Sequence, residues 1–245
     1  MTNTWYTVFK ATIGPPLFLW NRPSIEGAKK IPKEGPAILA SNHQAVLDSF
    51  YLPLRLKRQL TFPAKSEYFT EPGFKGRVKK FFFSSAGQIP VFRGEEGAGN
   101  AVAAAAKEVL SAGEIFAIYP EGTRSPDGRI YKGRTGIARI AMDSGVDVYP
   151  VAMLETRKAN PIGTFIPRPV KVRMKIGDPI NPHAWASENG YDPDSREVAR
   201  PFVDYVMGKI VELSGYEYVD VYATEVKKSL QDGLGYPAGT EPKDF

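Results

Sequence analysis

The chain has 245 residues, 42% of them apolar and 24% charged, which fits one globular domain with an appendage and excludes a disordered or fibrous chain. Its 32 basic and 27 acidic residues leave a formal charge of +5, suited to phosphate-bearing ligands or an anionic membrane surface and too weak for a nucleic-acid partner. There is no cysteine, which removes disulfides, thiolate metal sites and a cysteine nucleophile together.

Trp5, Val8, Phe9, Thr12 and Ile13 recur at i, i+3, i+4, i+7 and i+8 and predict an amphipathic helix over 4–13. Gly14-Pro15-Pro16 predicts its end, and the apolar Leu17-Phe18-Leu19-Trp20 follows. Such a helix with an apolar knuckle suits an interfacial membrane anchor, and a helix docked on the core carries the same pattern. Residues 1–30 are therefore set apart from a main domain over 31–232. Residues 36–40 read as a short buried strand, followed by a helix from about Val46. A strand is expected at 60–65 despite its internal proline. Phe74, Val78, Phe81 and Phe82 then share a helical face, with Lys75, Arg77, Lys79 and Lys80 between them. This is a membrane-surface pattern, or a solvated charged face above a core stripe.

Further strands are expected at 88–92, 114–119, 147–153 and 170–176, and helices at 100–112, 135–144 and 195–213. Gly113 and Gly145 stop the first two of these helices, and Pro201 opens or kinks the third. From Gly233 to residue 245 the glycines and prolines predict a loosely ordered tail. Strands alternating with helices indicate an α/β domain. No stretch reaches the roughly 18 apolar residues of a spanning helix, and no signal peptide is evident. The expected location is thus peripheral or monotopic, on the cytoplasmic face of a membrane.

The octapeptide Ser41-Asn42-His43-Gln44-Ala45-Val46-Leu47-Asp48 holds one of only two histidines. Five steps along an ideal helix turn a side chain through roughly 140°, so His43 and Asp48 do not meet if both are helical. They meet if His43 lies in the loop before the helix and Asp48 in its first turn, where a carboxylate is favoured. Asp48 would then accept from Nδ1–H of His43 and leave Nε2 as a base. Ser41 and Asn42 are plausible N-caps, and a plain capping element with a solvated Asp48 is the alternative. Further on, Glu121-Gly122-Thr123-Arg124 leaves a strand end, where open α/β sheets usually place ligands. Gly122 admits an anion to the backbone, Thr123 adds a hydroxyl and Arg124 a planar fork for phosphate; a turn with a surface arginine is the plainer reading.

Asn42-His43-x4-Asp48, Arg93 after an apolar strand, Pro120-Glu121-Gly122-Thr123-Arg124-Ser125 and Val148-Tyr149-Pro150-Val151 together resemble the four ordered blocks of the glycerolipid acyltransferases. The closest subgroup is the bacterial 1-acyl-glycerol-3-phosphate acyltransferase (PlsC-like) family, and Ala64-Lys65-x-Glu67 resembles a further segment of it. Ala45, Phe92 and Tyr119 depart from its usual Ser, Asp and Phe.

The resemblance implies a central, mostly parallel or mixed sheet flanked by helices, with 31–232 as the acyltransferase domain. It implies His43 as general base and Asp48 as its orienting partner. Lys65, Arg93 and Arg124 are implied for the acceptor phosphate, and Glu121, Gly122 and Thr123 for shaping the site. The implied acyl donor is acyl-CoA or acyl carrier protein, the acceptor lysophosphatidate, glycerol 3-phosphate or another lysophospholipid, with neither metal nor cofactor. His183 lies outside all four blocks and is expected to be structural. A serine hydrolase lacks its Gly-x-Ser-x-Gly elbow here, and Val102 stands where a dinucleotide fingerprint begun at Gly97-Ala98-Gly99 needs glycine. A non-enzymatic lipid-binding protein would explain the amphipathic segments and leave the His43/Asp48 pair unused.

Overall fold

A computed structural model describes residues 4–85, 87–91, 98–164 and 166–243. Its strands are β1 (Ser24–Glu26), β2 (Ala37–Ser41), β3 (Leu60–Lys65), β4 (Gln88–Val91), β5 (Ile115–Ile118), β6 (Ile130–Tyr131), β7 (Val148–Leu154), β8 (Arg173–Ile176) and β9 (Tyr218–Val219). Seven of them form one sheet in the order β1-β8-β7-β2-β5-β3-β4, and β6 pairs with β9 separately. Every neighbouring pair is parallel except β7 with β8. The expected mostly parallel α/β sheet is thus observed.

The helices are α1 (Thr4–Asn21), α2 (Asp48–Arg55), α3 (Glu67–Thr70), α4 (Gly73–Ser85), α5 (Ala98–Ser111), α6 (Gly136–Ser144), α7 (Thr156–Ala159), α8 (Pro182–Glu188), α9 (Ala199–Ser214) and α10 (Ala223–Gln231). Successive side chains of a strand point to opposite faces, so β2 is buried twice over. Its Ala37 and Leu39 join Phe50, Tyr51 and Leu17 on the α1/α2 side. Its Ile38 and Ala40 join Ala106, Ile137 and Phe202 on the α5/α6/α9 side.

Several boundaries differ from expectation. α1 runs through Pro15 and Pro16 to Asn21 instead of stopping at Gly14, so the apolar knuckle is its last turn. Packing holds this helix together where the prolines remove donors. A Cβ on Gly14 would lie 3.1 Å from Leu54 Cδ2, Leu17 is buried, and Lys10 Nζ donates to the Leu56 carbonyl at 2.6 Å. α2 begins at Asp48, two residues after the expected start. In β3, Pro63 lies in the part paired with β4 and not with β5, which limits the ladder bonds its missing N–H can cost. Pro201 falls in the first turn of α9, where N–H groups have no intrahelical acceptor, so it opens the helix. The expected tail, 233–243 of which is described, carries neither helix nor strand, and Arg129 donates to the Thr240 and Glu241 carbonyls.

α1 docks through Tyr6 and Leu17 and leaves Val8, Ile13, Phe18, Leu19 and Trp20 exposed. In α4, Phe74, Val78 and Phe81 are exposed as well, at 74%, 50% and 53%. No helix among the described residues is long and apolar enough to cross a membrane.

Beyond the end of β2 the backbone ladder to β7 is continued by a side chain. Asn42 Oδ1 accepts from Met153 N at 2.7 Å, and its Nδ2 donates to the Met153 carbonyl at 3.0 Å. Asn42 is fully buried, so this two-bond clamp fixes where the next residue leaves the sheet. Asn42→Ala leaves both Met153 groups without these partners, at about 1–3 kcal/mol for each buried group unpaired. The melting temperature should then fall by about 4 °C or more in calorimetry. A fall of under about 1 °C would show the clamp to be dispensable.

Candidate active site

β2 and β5 are parallel neighbours with Ala40 opposite Ile118, so their carboxyl ends open at one edge of the sheet. His43 follows the first and Tyr119 to Arg124 follow the second. The two loops are tied together by a carboxyl group. Glu121 Oε1 accepts from His43 N at 2.9 Å, and Oε2 accepts from Tyr131 N at 3.1 Å. In return Ser125 N donates to the His43 carbonyl at 2.7 Å. Gly122 turns the loop with φ +71°, a conformation that costs glycine little. A Cβ there would also meet Arg134 Nε at 3.0 Å.

His43 lies in the loop and Asp48 opens α2, as the pairing requires. His43 Nδ1 and Asp48 Oδ2 are 2.9 Å apart. The same oxygen accepts from Gln44 N at 2.7 Å and Ala45 N at 2.9 Å. The carboxylate is fully buried and is therefore oriented by backbone donors independently of the histidine. A carboxylate only accepts, so Nδ1 carries the proton and Nε2 is left with its lone pair. Neither Ser41 nor Asn42 caps α2: Leu47 stands at the cap without a side-chain bond, Ser41 Oγ donates to the Asn42 carbonyl, and Asn42 holds Met153. Tyr119 lies flat on the imidazole, ring centroids 3.8 Å apart, and its hydroxyl is 2.9 Å from Ser49 Oγ. The hydroxyl that distinguishes Tyr119 from phenylalanine thus fixes the ring that packs on His43.

Burial moves two ionisable groups at the centre, His43 and Glu121. It lowers the His43 pKa below 6.5; the bond and charge of Asp48 oppose this, while Arg124 and Lys227 add to it. The imidazole is accordingly neutral at pH 7 and able to take a proton. Burial pushes the Glu121 carboxyl up to about 8, against its two backbone donors and the Lys227 charge. Because the folded value is raised from 4.5, this group favours the folded state below pH 4.5, and that contribution is lost as pH rises through about 8.

The third feature is basic. Arg124, Arg157 and Lys227 line a cavity of about 320 Å³ together with Pro126, Ile162, Leu230 and Gln231. Arg157 Nη1 donates to the Ser125 carbonyl at 2.9 Å and Nη2 to that of Pro126, so it supports the loop carrying Arg124. Lys227 Nζ donates to Thr123 Oγ1 at 2.7 Å. Lys65 ends β3 with its backbone opposite Val91; its side chain, like all of Arg93, lies outside the described residues. Of the eight residues singled out in the sequence, His43, Asp48, Glu121, Gly122, Thr123 and Arg124 converge on this edge. Arg157 and Lys227 were not anticipated, since each is one basic residue in an unremarkable helix. Their only signal is spatial. His183 is far from this chemistry in role: its Nε2 pairs with the Met142 carbonyl at 2.8 Å.

The family described as Acyltransferase matches residues 22–154, more than half of the chain. The chloroplastic 1-acyl-sn-glycerol-3-phosphate acyltransferase of Arabidopsis thaliana is 32% identical over 160 residues, 64% of this chain and 43% of that protein. Its counterpart from Brassica napus is 30% identical over 149 residues, 60% and 42% of the two chains. The chain thus spans under half the length of these relatives. A solved structure, the 1-acyl-sn-glycerophosphate acyltransferase PlsC of Thermotoga maritima, is 28% identical and superposes with a TM-score of 0.62 over 84% of this chain and 78% of that one. With the His43–Asp48 pair and the Glu121 loop set on that same fold, this chain belongs to the acyltransferase family.

Proposed function

We propose that the chain transfers a fatty acyl group from acyl-CoA to the free hydroxyl of 1-acyl-glycerol 3-phosphate, giving phosphatidate and free CoA. The observation that carries this reading is the His43 Nδ1–Asp48 Oδ2 contact of 2.9 Å on the loop bonded to the Arg124 segment. His43 Nε2 takes the proton of the acceptor hydroxyl as its oxygen attacks the thioester carbonyl. The tetrahedral intermediate collapses, the C–S bond breaks, and the departing thiolate recovers the proton from the imidazolium. Asp48 stabilises that imidazolium, in the way a triad aspartate does, with the substrate hydroxyl in place of serine. The acyl group passes directly between substrates, and the chain holds no cysteine to carry it. Arg124 meets the acceptor phosphate with its planar fork, and Lys65 and Arg93 are proposed to assist it.

The same reading places the chain on a membrane, where both lipids reside. Exposed Phe18, Leu19 and Trp20 of α1 and Phe74, Val78 and Phe81 of α4 would enter the interface, with exposed Lys75, Arg77 and Lys80 facing anionic headgroups.

Release of free thiol from palmitoyl-CoA, with lysophosphatidate and glycerol 3-phosphate offered separately, tests the activity. Release is expected with lysophosphatidate, and none with either acceptor would overturn the reading. His43→Ala should lower kcat by about two or more powers of ten, the scale of general-base loss. Asp48→Asn should do the same, because its amide oxygen can keep the Oδ2 bonds while the charge is gone; near-normal turnover there would remove the dyad. The acid limb of kcat/KM should fall below pH 6.5, since burial and nearby cations lower the His43 pKa. Arg124→Ala should raise the limb and raise the KM for lysophosphatidate by roughly ten- to a hundredfold. For the membrane, Phe74→Ser with Phe81→Ser should reduce co-sedimentation with anionic vesicles while the melting temperature holds, and unchanged sedimentation would exclude α4 from the contact.

A further inference from the structure

The family match ends at residue 154, yet one cation of the basic cavity comes from α10. Three contacts bring it there. β9 pairs with β6 in parallel, Ile130 opposite Tyr218. Ala223 and Val226 of α10 then pack with Tyr131 and Val219 in a small core of their own. Arg134 joins the helix to the Gly122 turn: its N donates to the Pro120 carbonyl at 2.8 Å, its Nη2 donates to Thr224 Oγ1 at 3.0 Å, and its guanidinium lies 5.0 Å from the Tyr222 ring. The start of the helix is therefore held against the Glu121–Arg124 loop, just before the position of Lys227.

We propose that Lys227 is part of the phosphate seat: its ammonium, and the Thr123 hydroxyl that it orients, bind a phosphate monoester beside Arg124. Thr123 Oγ1 accepts from Lys227 Nζ at 2.7 Å, so the hydroxyl's own proton is directed away from the ammonium and is left to donate to an anion oxygen. Arg124 supplies a flat fork and Lys227 a compact charge, a complementary pair for a group with three equivalent oxygens. Both line the same cavity, and Arg157, whose Nη groups donate to the Ser125 and Pro126 carbonyls, adds charge behind them. Thr123 follows Glu121 by two residues, and Glu121 Oε1 accepts from His43 N at 2.9 Å, which ties the seat to the loop that carries His43. This inference rests on the reading of Arg124 as the acceptor-phosphate residue.

The phosphates of acyl-CoA have the same chemistry, and kinetics separates the two sources. In Lys227→Met, the KM for lysophosphatidate should rise about tenfold, while the KM for palmitoyl-CoA and kcat each stay within about threefold. Lys227→Arg, which keeps the charge, should recover most of the loss. Lys227 is only partly buried, and the melting temperature of each variant checks that α10 stays docked. Calorimetric binding of glycerol 3-phosphate gives a readout independent of turnover, and it should weaken in Lys227→Met to a similar degree. A rise confined to the palmitoyl-CoA KM would overturn the proposal, as would unchanged constants or a fall in kcat alone. If wild-type protein consumes no lysophosphatidate, the proposed function fails; weaker glycerol 3-phosphate binding in Lys227→Met would then still assign Lys227 to a phosphate site.

Discussion

The structure depends on a single buried carboxyl group. Glu121 is 1% exposed, and its two oxygens reach two backbone donors from different parts of the chain, His43 N and Tyr131 N. The first ties the end of β2 to the end of β5; the second brings β6 under the loop. Burying a carboxyl group is costly unless its oxygens are bonded, and here both are. The cost is visible as an acid that holds its proton to about pH 8. In exchange the imidazole is suspended at a fixed height over the sheet edge, with Tyr119 flat on one face and Asp48 at its Nδ1.

The same economy governs the cations. A base that must be neutral at pH 7 and a phosphate that must be bound nearby place opposite demands on the local potential. Arg124 and Lys227, proposed here to hold the acceptor phosphate, make His43 harder to protonate, while Asp48 works against them. In the proposed reaction this positive charge keeps His43 unprotonated until the acceptor phosphate binds, and the arriving negative charge then favours the imidazolium. On that reading, substrate binding and proton transfer are coupled through one electrostatic field.

The fold and much of this centre were legible in the sequence, because local pattern dictated them. β3 spans the expected residues, and β2, β5 and α6 fall within a residue or two of their reading, since continuous apolar runs and glycine stops act locally. Helical geometry allowed the His43–Asp48 pairing only with His43 in the loop and Asp48 in the first turn, and the resemblance to the acyltransferases favoured it over a solvated Asp48. Other features were set by contacts distant in sequence and had no local sign. α1 continues past two prolines because Gly14 and Leu17 dock, and Asn42 became a strand clamp, not a helix cap, because Met153 lies beside it. β6 and β9 are two residues each, too short for any periodicity to register. Lys227 reaches Thr123 across 104 positions, and no spacing rule extends so far.

That span has a bearing on how the molecule is made. Synthesis proceeds from the N-terminus, so the His43 loop, its aspartate and the Arg124 turn all exist before α10 has left the ribosome. The span is close to that between β2 and β7, where Ile38 pairs with Val148, so order of synthesis and not loop length sets α10 apart. A nascent chain therefore contains the residues proposed for proton transfer while the wall carrying Lys227 is still absent. The helix that carries Lys227 follows every strand of the central sheet along the chain, so forming that sheet does not by itself finish the cavity wall.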